Sequence, residues 1–179
     1  RSGFARQEES SMLMGRPLDM PFPAMQLLPG FCIRPVQGLE ELEAYVVLHR
    51  AAFGTGNMTT AYRQSIMNAP DYLPELDLVA VAPDGTLAAF CVCQIFPDDS
   101  PRAGGQREGW TDPVGTHPDY RGMGLAKALM LTGMGLLSKR GIDTAVLGTS
   151  SSNTAMQRLA GSLGFSKVSH TLWYSKSLE

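Results

Sequence analysis

The stretch from Trp110 to Leu137 constrains the fold of this chain more than any other. It consists of an extended segment that ends at Pro118, a loop that contains Gly122 and Gly124, and an apolar helix. A strand that runs through a glycine-containing loop into a helix leaves several backbone N–H groups unpaired at the helix start, all directed at one spot. The sequence therefore predicts an anion site at this loop, and pyrophosphate is the first ligand to consider.

Length and composition exclude several classes of protein. The 179 residues suffice for one domain with a proper core; 44% are hydrophobic, 18% are charged, and the formal net charge is -2. Such a chain is typical of a globular protein and lacks the basic field of a nucleic-acid binder. No apolar run approaches the roughly 18 to 20 residues that cross a bilayer, and the N-terminal segment has no secretory pattern. We therefore predict a cytoplasmic protein without nucleic-acid or membrane partners.

The three cysteines, Cys32, Cys91 and Cys93, do not match a disulfide framework or a zinc site, both of which use other spacings. Cys91 and Cys93 alternate within an apolar run, where they would share one face of a strand. We expect reduced cysteines, two of them in the core, and no metal site.

The order of helix and strand signals predicts the fold class. Charged patches and prolines in residues 1–30 indicate a connecting arm, with one possible short strand at 10–14. A domain is expected over 31–179, with a Pro-Asp-Gly turn at 83–85 that forms a hairpin and a polar, mobile loop at 97–109. The predicted strands are 31–36, 76–82, 86–96, 110–118, 144–148 and 165–174, and the predicted helices are 38–53, 59–67, 125–139 and 151–163. Because hairpins are mixed with one strand-helix-strand crossover, we predict an α+β fold with a mixed sheet.

The glycine loop, Arg121 to Ala126, admits several interpretations. A P-loop requires Gly-Lys-Ser/Thr after the glycines, where this chain has Leu125-Ala126-Lys127. A dinucleotide fingerprint requires a third glycine-like position and a following strand that ends in an acid. Neither pattern is matched. A glycine-rich turn without a ligand stays open as an alternative on these six residues alone.

A known signature resembles this loop and its flanks. The GNAT-type N-acetyltransferase superfamily uses Arg/Gln-x-x-Gly-x-Gly/Ala, preceded by a short hydrophobic-x-Pro, and this chain has Thr116-His117-Pro118-Asp119-Tyr120-Arg121-Gly122-Met123-Gly124-Leu125-Ala126. A second signature of that family is similar to Asn153, Leu159 six residues later, and Gly164-Phe165. The resemblance covers about 145 residues of the chain. It implies a mixed, mostly antiparallel central sheet flanked by about four helices, in three layers.

The resemblance also implies a cofactor, acetyl-coenzyme A, and its binding residues. The segment from Val114 to Thr116 would bond the pantetheine arm, and Asn153 would reach the cofactor from the end of the next strand. An ordinary polar residue at a helix start is the alternative for Asn153. The pyrophosphate would be held by successive backbone amides, those of Arg121, Gly122, Met123, Gly124, Leu125 and Ala126.

The implied reaction is direct transfer of the acetyl group to a primary amine of a small molecule or peptide. The amine must lose a proton, and Asp112 is the first choice of base because it shares strand parity with Val114 and Thr116 if no bulge intervenes. Glu108 lies two steps further out, and both acids have a solvated strand start as the alternative. Catalysis within this chain is therefore assigned to the segment from Trp110 to Thr116.

One position departs from the family pattern. Ala160 stands where many members carry a tyrosine that protonates the departing thiolate, which leaves water, Tyr120 or Tyr174 as donors. A second hypothesis is therefore a catalytically degenerate GNAT domain that binds acyl-coenzyme A as a sensor or structural module.

The N-terminal residues contain a faint repeat of the C-terminal ones. Gly3-Phe4, with Leu18 further on, echoes Gly164-Phe165, with Leu178 further on, and a possible strand lies between in both copies. We expect residues 1–18 to be the tail of a preceding GNAT-like repeat, which would make this chain the C-terminal half of a tandem protein. A plain flexible arm is the alternative, and a homodimer is a further possibility for the partner.

Overall fold

The structure is a computed structural model that describes residues 4–96 and 107–176. The predicted loop at 97–109 therefore lies, up to residue 106, outside the described residues. The strands are β1 Ala5–Pro17, β2 Cys32–Pro35, β3 Asp77–Val81, β4 Leu87–Val92, β5 Glu108–Trp110, β6 Val114–Thr116, β7 Thr144–Ser150 and β8 Ser166–Ser175. The helices are α1 Leu42–Phe53, α2 Thr60–Met67, α3 Leu125–Lys139 and α4 Thr154–Ser162.

The strands form two four-stranded sheets, in the orders β2-β3-β4-β6 and β5-β7-β1-β8. Neighbouring strands are antiparallel except β5 and β7, which are parallel. The predicted α+β fold with a mostly antiparallel sheet is confirmed. The parallel pair arises from the one crossover that the sequence indicated, because the chain passes from β5 through β6 and α3 before it returns to the same sheet as β7.

Helices cover both faces of the first sheet, and β3 shows why. Leu78 and Ala80 pack in the cluster that contains α3 and α4, whereas Val79 packs on the other face with Tyr45 and Leu48 of α1. A strand that is buried on both faces reads as a continuous apolar run, as this one does. The result is the predicted three-layer arrangement of helix, sheet and helix.

The N-terminal segment differs from its prediction. A connecting arm was expected over residues 1–30 with a strand only at 10–14, but β1 is 13 residues long and lies between β7 and β8. The strand signal is weak because residues 6–9 are polar and exposed, and pairing with β7 begins only at Ser11. Residues 18–30, which contain no helix or strand, run along α3, where Thr132 contacts Met25.

Two further findings concern membrane-spanning helices and the cysteines. No helix within residues 4–96 and 107–176 is long and apolar enough to span a bilayer. Cys91 and Cys93 are buried free thiols whose sulfurs lie 3.9 Å apart, as expected for core residues, whereas Cys32 is exposed.

Candidate active site

The two sheets separate at the segment that the sequence singled out. β5 pairs with β7, whereas β6, only a few residues later, pairs with β4 in the other sheet. The carbonyl of Pro113 accepts from the Val92 N–H, and the His117 N–H donates to the Ala88 carbonyl. Because bonding direction alternates along a strand, the backbone groups of Val114 and Thr116 point away from β4. This leaves a gap, the sheet cleft, between β6 and residues 148–150 of β7.

The glycine loop lies at the end of β6 and leads directly into α3. Gly122 and Gly124 have φ values of +79° and +76°, a left-handed conformation that favours glycine. A Cβ built on either residue meets no atom within 4 Å, so open space surrounds both. Gly124 is the N-cap of α3 and no side chain caps this end. The first N–H groups of a 15-residue helix are therefore available to an anion.

The surroundings of the loop leave room for a ligand. A cavity of about 470 Å³ adjoins it, lined by the loop, by Lys127 and by residues of the 18–30 segment from Pro23 to Leu28. The Arg121 guanidinium is used elsewhere, because it donates to the Ala52 carbonyl at the end of α1, at 3.0 Å. The loop can therefore offer backbone amides and one lysine to phosphate, whereas the arginine side chain anchors the loop to α1.

Asn153 lies at the start of α4, directly after β7. Its Oδ1 accepts from the Met156 N–H at 3.0 Å, which makes it the N-cap of α4. This is the geometry of the ordinary helix-start residue that the sequence left open as an alternative. Any contact with a cofactor would have to come from the amide nitrogen of the same side chain.

Asp112 lies where the two sheets separate. The strand is interrupted there, since residues 111–113 belong to neither β5 nor β6, and the condition of an unbroken strand, on which its predicted parity depended, is not met. The carboxylate reaches across the gap, where Oδ2 accepts from the Gly148 N–H at 3.3 Å, and Oδ1 is buried without a partner among the described residues. Burial raises the pKa of Asp112 to about 6, although the Gly148 hydrogen bond opposes the shift.

Glu108 is not brought together with Asp112. It begins β5 opposite Thr144, whereas Asp112 faces Gly148, four residues further along β7. Four residues of strand correspond to about 13 Å. The two predicted acids therefore lie at different levels of the sheet, and only Asp112 is at the sheet cleft.

Ala160 and the two predicted tyrosine donors to the leaving thiolate, Tyr120 and Tyr174, occupy three different environments. Ala160 lies in α4 and is fully buried, and its methyl side chain provides no hydroxyl at this position. Tyr120 packs edge-on against Phe31, with ring centroids 6.0 Å apart, and also contacts His117. Tyr174 is exposed on β8. Of these, only Tyr120 belongs to the segment that joins β6 to the glycine loop.

Sequence reasoning missed a buried polar cluster under the first sheet. Arg63 of α2 forms a fully buried ion pair with Asp77, and its guanidinium lies 3.7 Å from the centroid of the Tyr45 ring. The Tyr72 hydroxyl donates to Asp77 at 2.6 Å, and its pKa is raised by burial and by this carboxylate. The only sequence signal was a single acid at the start of an apolar strand.

This cluster borders a small cavity and a histidine. The cavity, of about 150 Å³, lies between the end of α2 and the end of β4 and is lined by Tyr72 and Val92 among others. Val92 bonds to the backbone beside Asp112, so the cavity adjoins the point where the sheets separate. His49 stacks on Phe90, and burial together with the nearby guanidinium lowers its pKa. A neutral imidazole and a cavity therefore lie on the α1–α2 side of the cleft.

The site therefore consists of a cleft between two sheets and, at one end of it, an uncapped, glycine-lined helix start. The sequence model of the acetyltransferase (GNAT) family matches residues 42–165. The chain belongs to this family.

Individual relatives agree with that assignment. A mycothiol acetyltransferase from Thermobispora bispora is 31% identical over 173 residues, which cover 91% of this chain and 56% of the relative. A GCN5-related N-acetyltransferase from Sphaerobacter thermophilus has a similar structure, with a TM-score of 0.79 and 27% identity over 96% of this chain and 52% of that one. A tandem GNAT protein from the clavulanic acid biosynthesis pathway has a TM-score of 0.72 at 16% identity, over 96% and 55%. The chain thus spans about half the length of these proteins.

Proposed function

We propose that the protein transfers an acetyl group from acetyl-coenzyme A to a primary amine. One observation supports this proposal most: the uncapped start of α3, with two left-handed glycines, opens directly beside the unpaired edge of β6. An anion site and a strand edge, in this order, suit a ligand with a pyrophosphate and an amide-containing arm. Family membership supports the choice of acetyl-coenzyme A.

Each part of the cleft has a proposed task. The amides of the glycine loop hold the pyrophosphate, and Val114 and Thr116 bond the pantetheine arm as an added strand. The bound cofactor supplies the acetyl thioester. A backbone N–H near Thr116 polarises its carbonyl, and Asn153 contacts the arm from β7 through its amide nitrogen.

Asp112 is the proposed general base. With a pKa of about 6, its carboxylate is mostly ionised at pH 7 and is a stronger base than an ordinary aspartate. It takes a proton from the ammonium form of the acceptor, and the amine nitrogen then bonds to the thioester carbonyl carbon. The carbon–sulfur bond breaks, coenzyme A leaves as a thiolate, and the second proton that the nitrogen loses passes through water to this thiolate. Glu108 of β5 lies opposite Thr144, four residues of β7 away from the position that Asp112 faces, and is not assigned to this step.

The acceptor is proposed from the relatives. Several are named mycothiol acetyltransferase, so primary amines related to mycothiol are the first acceptors to test. The cavity between α2 and β4 is the proposed entry for the amine, because it adjoins the Asp112 backbone from the α1–α2 side. The predicted cytoplasmic location stays a prediction.

A domain that binds acyl-coenzyme A without turnover is the competing function. It is favoured by Ala160, which is fully buried and offers no proton to the leaving thiolate. Thiol release with acetyl-coenzyme A and a panel of amines, measured beside calorimetry with coenzyme A, separates the two. Release that depends on one amine supports the transferase. Binding without release across the panel supports the competitor, and the absence of binding contradicts both.

We further propose that the intact protein contains a second GNAT-like domain, with residues 31–179 as the domain described above. The length of the relatives and the tandem organisation of one protein of similar structure support it. A homodimer of a single-domain protein is the alternative.

A further inference from the structure

The 18–30 segment is fixed to the domain although it contains no helix or strand. It lies before residue 42, where the match to the family model begins, so that match gives it no role. Leu18 at its start is 5% exposed, and the Leu18 N–H donates to the Asp143 carbonyl at 2.8 Å. Further along, Leu27 packs against the hydrophobic core that contains α3. The segment therefore has a defined position on the domain.

Arg16 of β1 is the main anchor of this segment. Its side chain is 1% exposed, and no carboxylate within residues 4–96 and 107–176 pairs with it. It donates instead to the carbonyls of Met20 and Pro21, at 3.1 and 2.7 Å, and its guanidinium lies 4.6 Å from the centroid of the Phe22 ring. A buried charge is costly unless its hydrogen bonds are made. Arg16 makes them to one short stretch of backbone, which it holds in place.

The other end of the segment is linked to the glycine loop by an aromatic contact. The Phe31 N–H donates to the Leu28 carbonyl at 3.2 Å, which closes a turn where the segment ends. The Phe31 ring packs edge-on against Tyr120, the residue directly before the glycine loop. The segment is therefore anchored to β1 at one end and to the approach of the glycine loop at the other.

The cavity of about 470 Å³ lies between the segment and the glycine loop. Its lining comes from residues 23, 24 and 26–28 of the segment and from the glycine loop with Lys127. Among the described residues, none of β6 or β7 lines it, so this cavity lies outside the sheet cleft. Its volume is typical of sites for small organic ligands, which measure about 300–1,000 Å³. A ligand with its anion at the loop can therefore extend in two directions, along β6 into the cleft and under the segment into the cavity.

We propose that the 18–30 segment is a wall of the cofactor site, positioned by Arg16, and that the nucleotide end of coenzyme A binds between this wall and the glycine loop. The inference rests on the proposed function, in which the cleft takes the pantetheine arm and the loop amides take the pyrophosphate. The 3′-phosphorylated adenosine on the other side of the pyrophosphate then has to leave the loop away from the cleft. Lys127 provides a cation for its phosphate, and Pro23, Leu27 and Met123 provide apolar contacts for its base.

Calorimetry with parts of the cofactor tests the wall. Adenosine 3′,5′-bisphosphate carries the nucleotide end without the arm, and pantetheine carries the arm without the nucleotide. Ala24→Glu places a negative charge in the cavity lining, at an exposed residue outside the core. This variant should bind coenzyme A and the bisphosphate about tenfold more weakly and keep its pantetheine affinity within about twofold. Met20→Glu is the matched control and should bind all three as the wild type does, because Met20 is 48% exposed on the same segment and does not line the cavity.

The outcomes separate the wall from the proposed function. Equal coenzyme A affinity in the wild type and Ala24→Glu would overturn the wall and leave the transferase standing. Equal losses in Ala24→Glu and Met20→Glu would show a general effect of charge and would also overturn the wall. A wild-type protein that does not bind coenzyme A would contradict both the wall and the proposed function.

Hydrogen exchange tests the positioning role of Arg16. In the wild type, adenosine 3′,5′-bisphosphate should slow exchange of the 18–30 segment at least about threefold, whereas pantetheine should not. Arg16→Lys keeps the charge but loses the planar fork that bonds two carbonyls and stacks on Phe22. Exchange of the segment should become faster in this variant, and coenzyme A affinity should fall while pantetheine affinity stays unchanged.

Two results would contradict this role. Equal losses of coenzyme A and pantetheine affinity in Arg16→Lys would show that Arg16 supports the fold as a whole and does not position the wall. A wild-type segment whose exchange does not respond to the bisphosphate would overturn the wall itself, and this measurement needs no variant to fold.

Discussion

The two sheets of this protein end in very different outer strands. β2 is four residues long, and Glu41 at the entrance to α1 accepts two hydrogen bonds from Arg34 of this strand. β8 is ten residues long and exposes a row of apolar side chains. Short edges with charged side chains resist pairing with other chains, whereas long apolar edges invite it. The first sheet therefore ends in a protected edge at β2, whereas the second sheet ends in an exposed apolar edge at β8.

The difference extends to where the chemistry lies. The first sheet is covered on both faces and holds the buried ion pair of Arg63 and Asp77. The cleft opens where the chain passes from β5 of the second sheet to β6 of the first. We interpret the first sheet as the rigid support and the junction as the site. The predictions below test this division, beginning with the junction.

Asp112→Asn should have the largest effect. In the proposed role of general base, Asp112 should contribute about 10²- to 10⁴-fold to the rate. In the wild type, kcat/KM should rise with pH through about 6, because the base acts in its ionised form. The variant should lose this contribution to the rate and the rise of kcat/KM with pH, while it keeps its affinity for coenzyme A. A variant within twofold of the wild-type rate at pH 7 would remove Asp112 from the mechanism.

Asp77→Ala should produce the largest loss of stability. It leaves the fully buried Arg63 guanidinium without its carboxylate, and breaking a buried pair costs about 3–5 kcal/mol. Urea unfolding measures the change. Glu75→Ala is the control, since its pair with Arg140 is exposed, and it should cost less than about 1 kcal/mol. Similar losses for the two variants would mean that the first sheet is not the rigid support.

The sequence predicted the parts of the molecule that depend on local pattern. The glycine loop, α3 and the β3–β4 hairpin follow from turn chemistry and apolar periodicity, so their positions were correct within a few residues. β1 was missed over most of its length because its polar residues face solvent and its partners are distant in sequence. Pairing of that kind leaves no local signal.

The candidate site was predicted in the same uneven way. Its anion-binding half follows from glycines and a helix start, which neighbouring residues specify. Asp112 lies at the junction that the sequence singled out, but the break in the strand around it depends on two sheets that separate in space. Arg63 and Asp77 are 14 positions apart in the sequence, and no pattern in the residues between them predicts the contact.

Gly124→Ala tests the anion-binding half of the junction with a smaller expected effect. Alanine at φ +76° costs about 1–2 kcal/mol, and a rearranged loop would misdirect the amides. Coenzyme A affinity should fall about tenfold, which corresponds to about 1.4 kcal/mol. Gly135→Ala, in the middle of α3 with open space around it, is the matched control and should leave affinity unchanged. An unaltered affinity in Gly124→Ala would contradict the loop's role.

Glu41→Gln should have the smallest effect, and it tests why β2 is a stable edge. The Arg34 guanidinium and the Gln37 N–H hold the pKa of Glu41 below its usual value. A lowered pKa stabilises the fold above the unfolded-state pKa, and this stability is lost as the pH falls through the folded-state value. The variant should therefore lose about 1 kcal/mol at pH 7 in urea unfolding and differ less from the wild type in acid. A difference that persists unchanged at low pH would show that Glu41 acts through packing, and the contrast between the two outer strands would then depend on length and apolar surface rather than on charge.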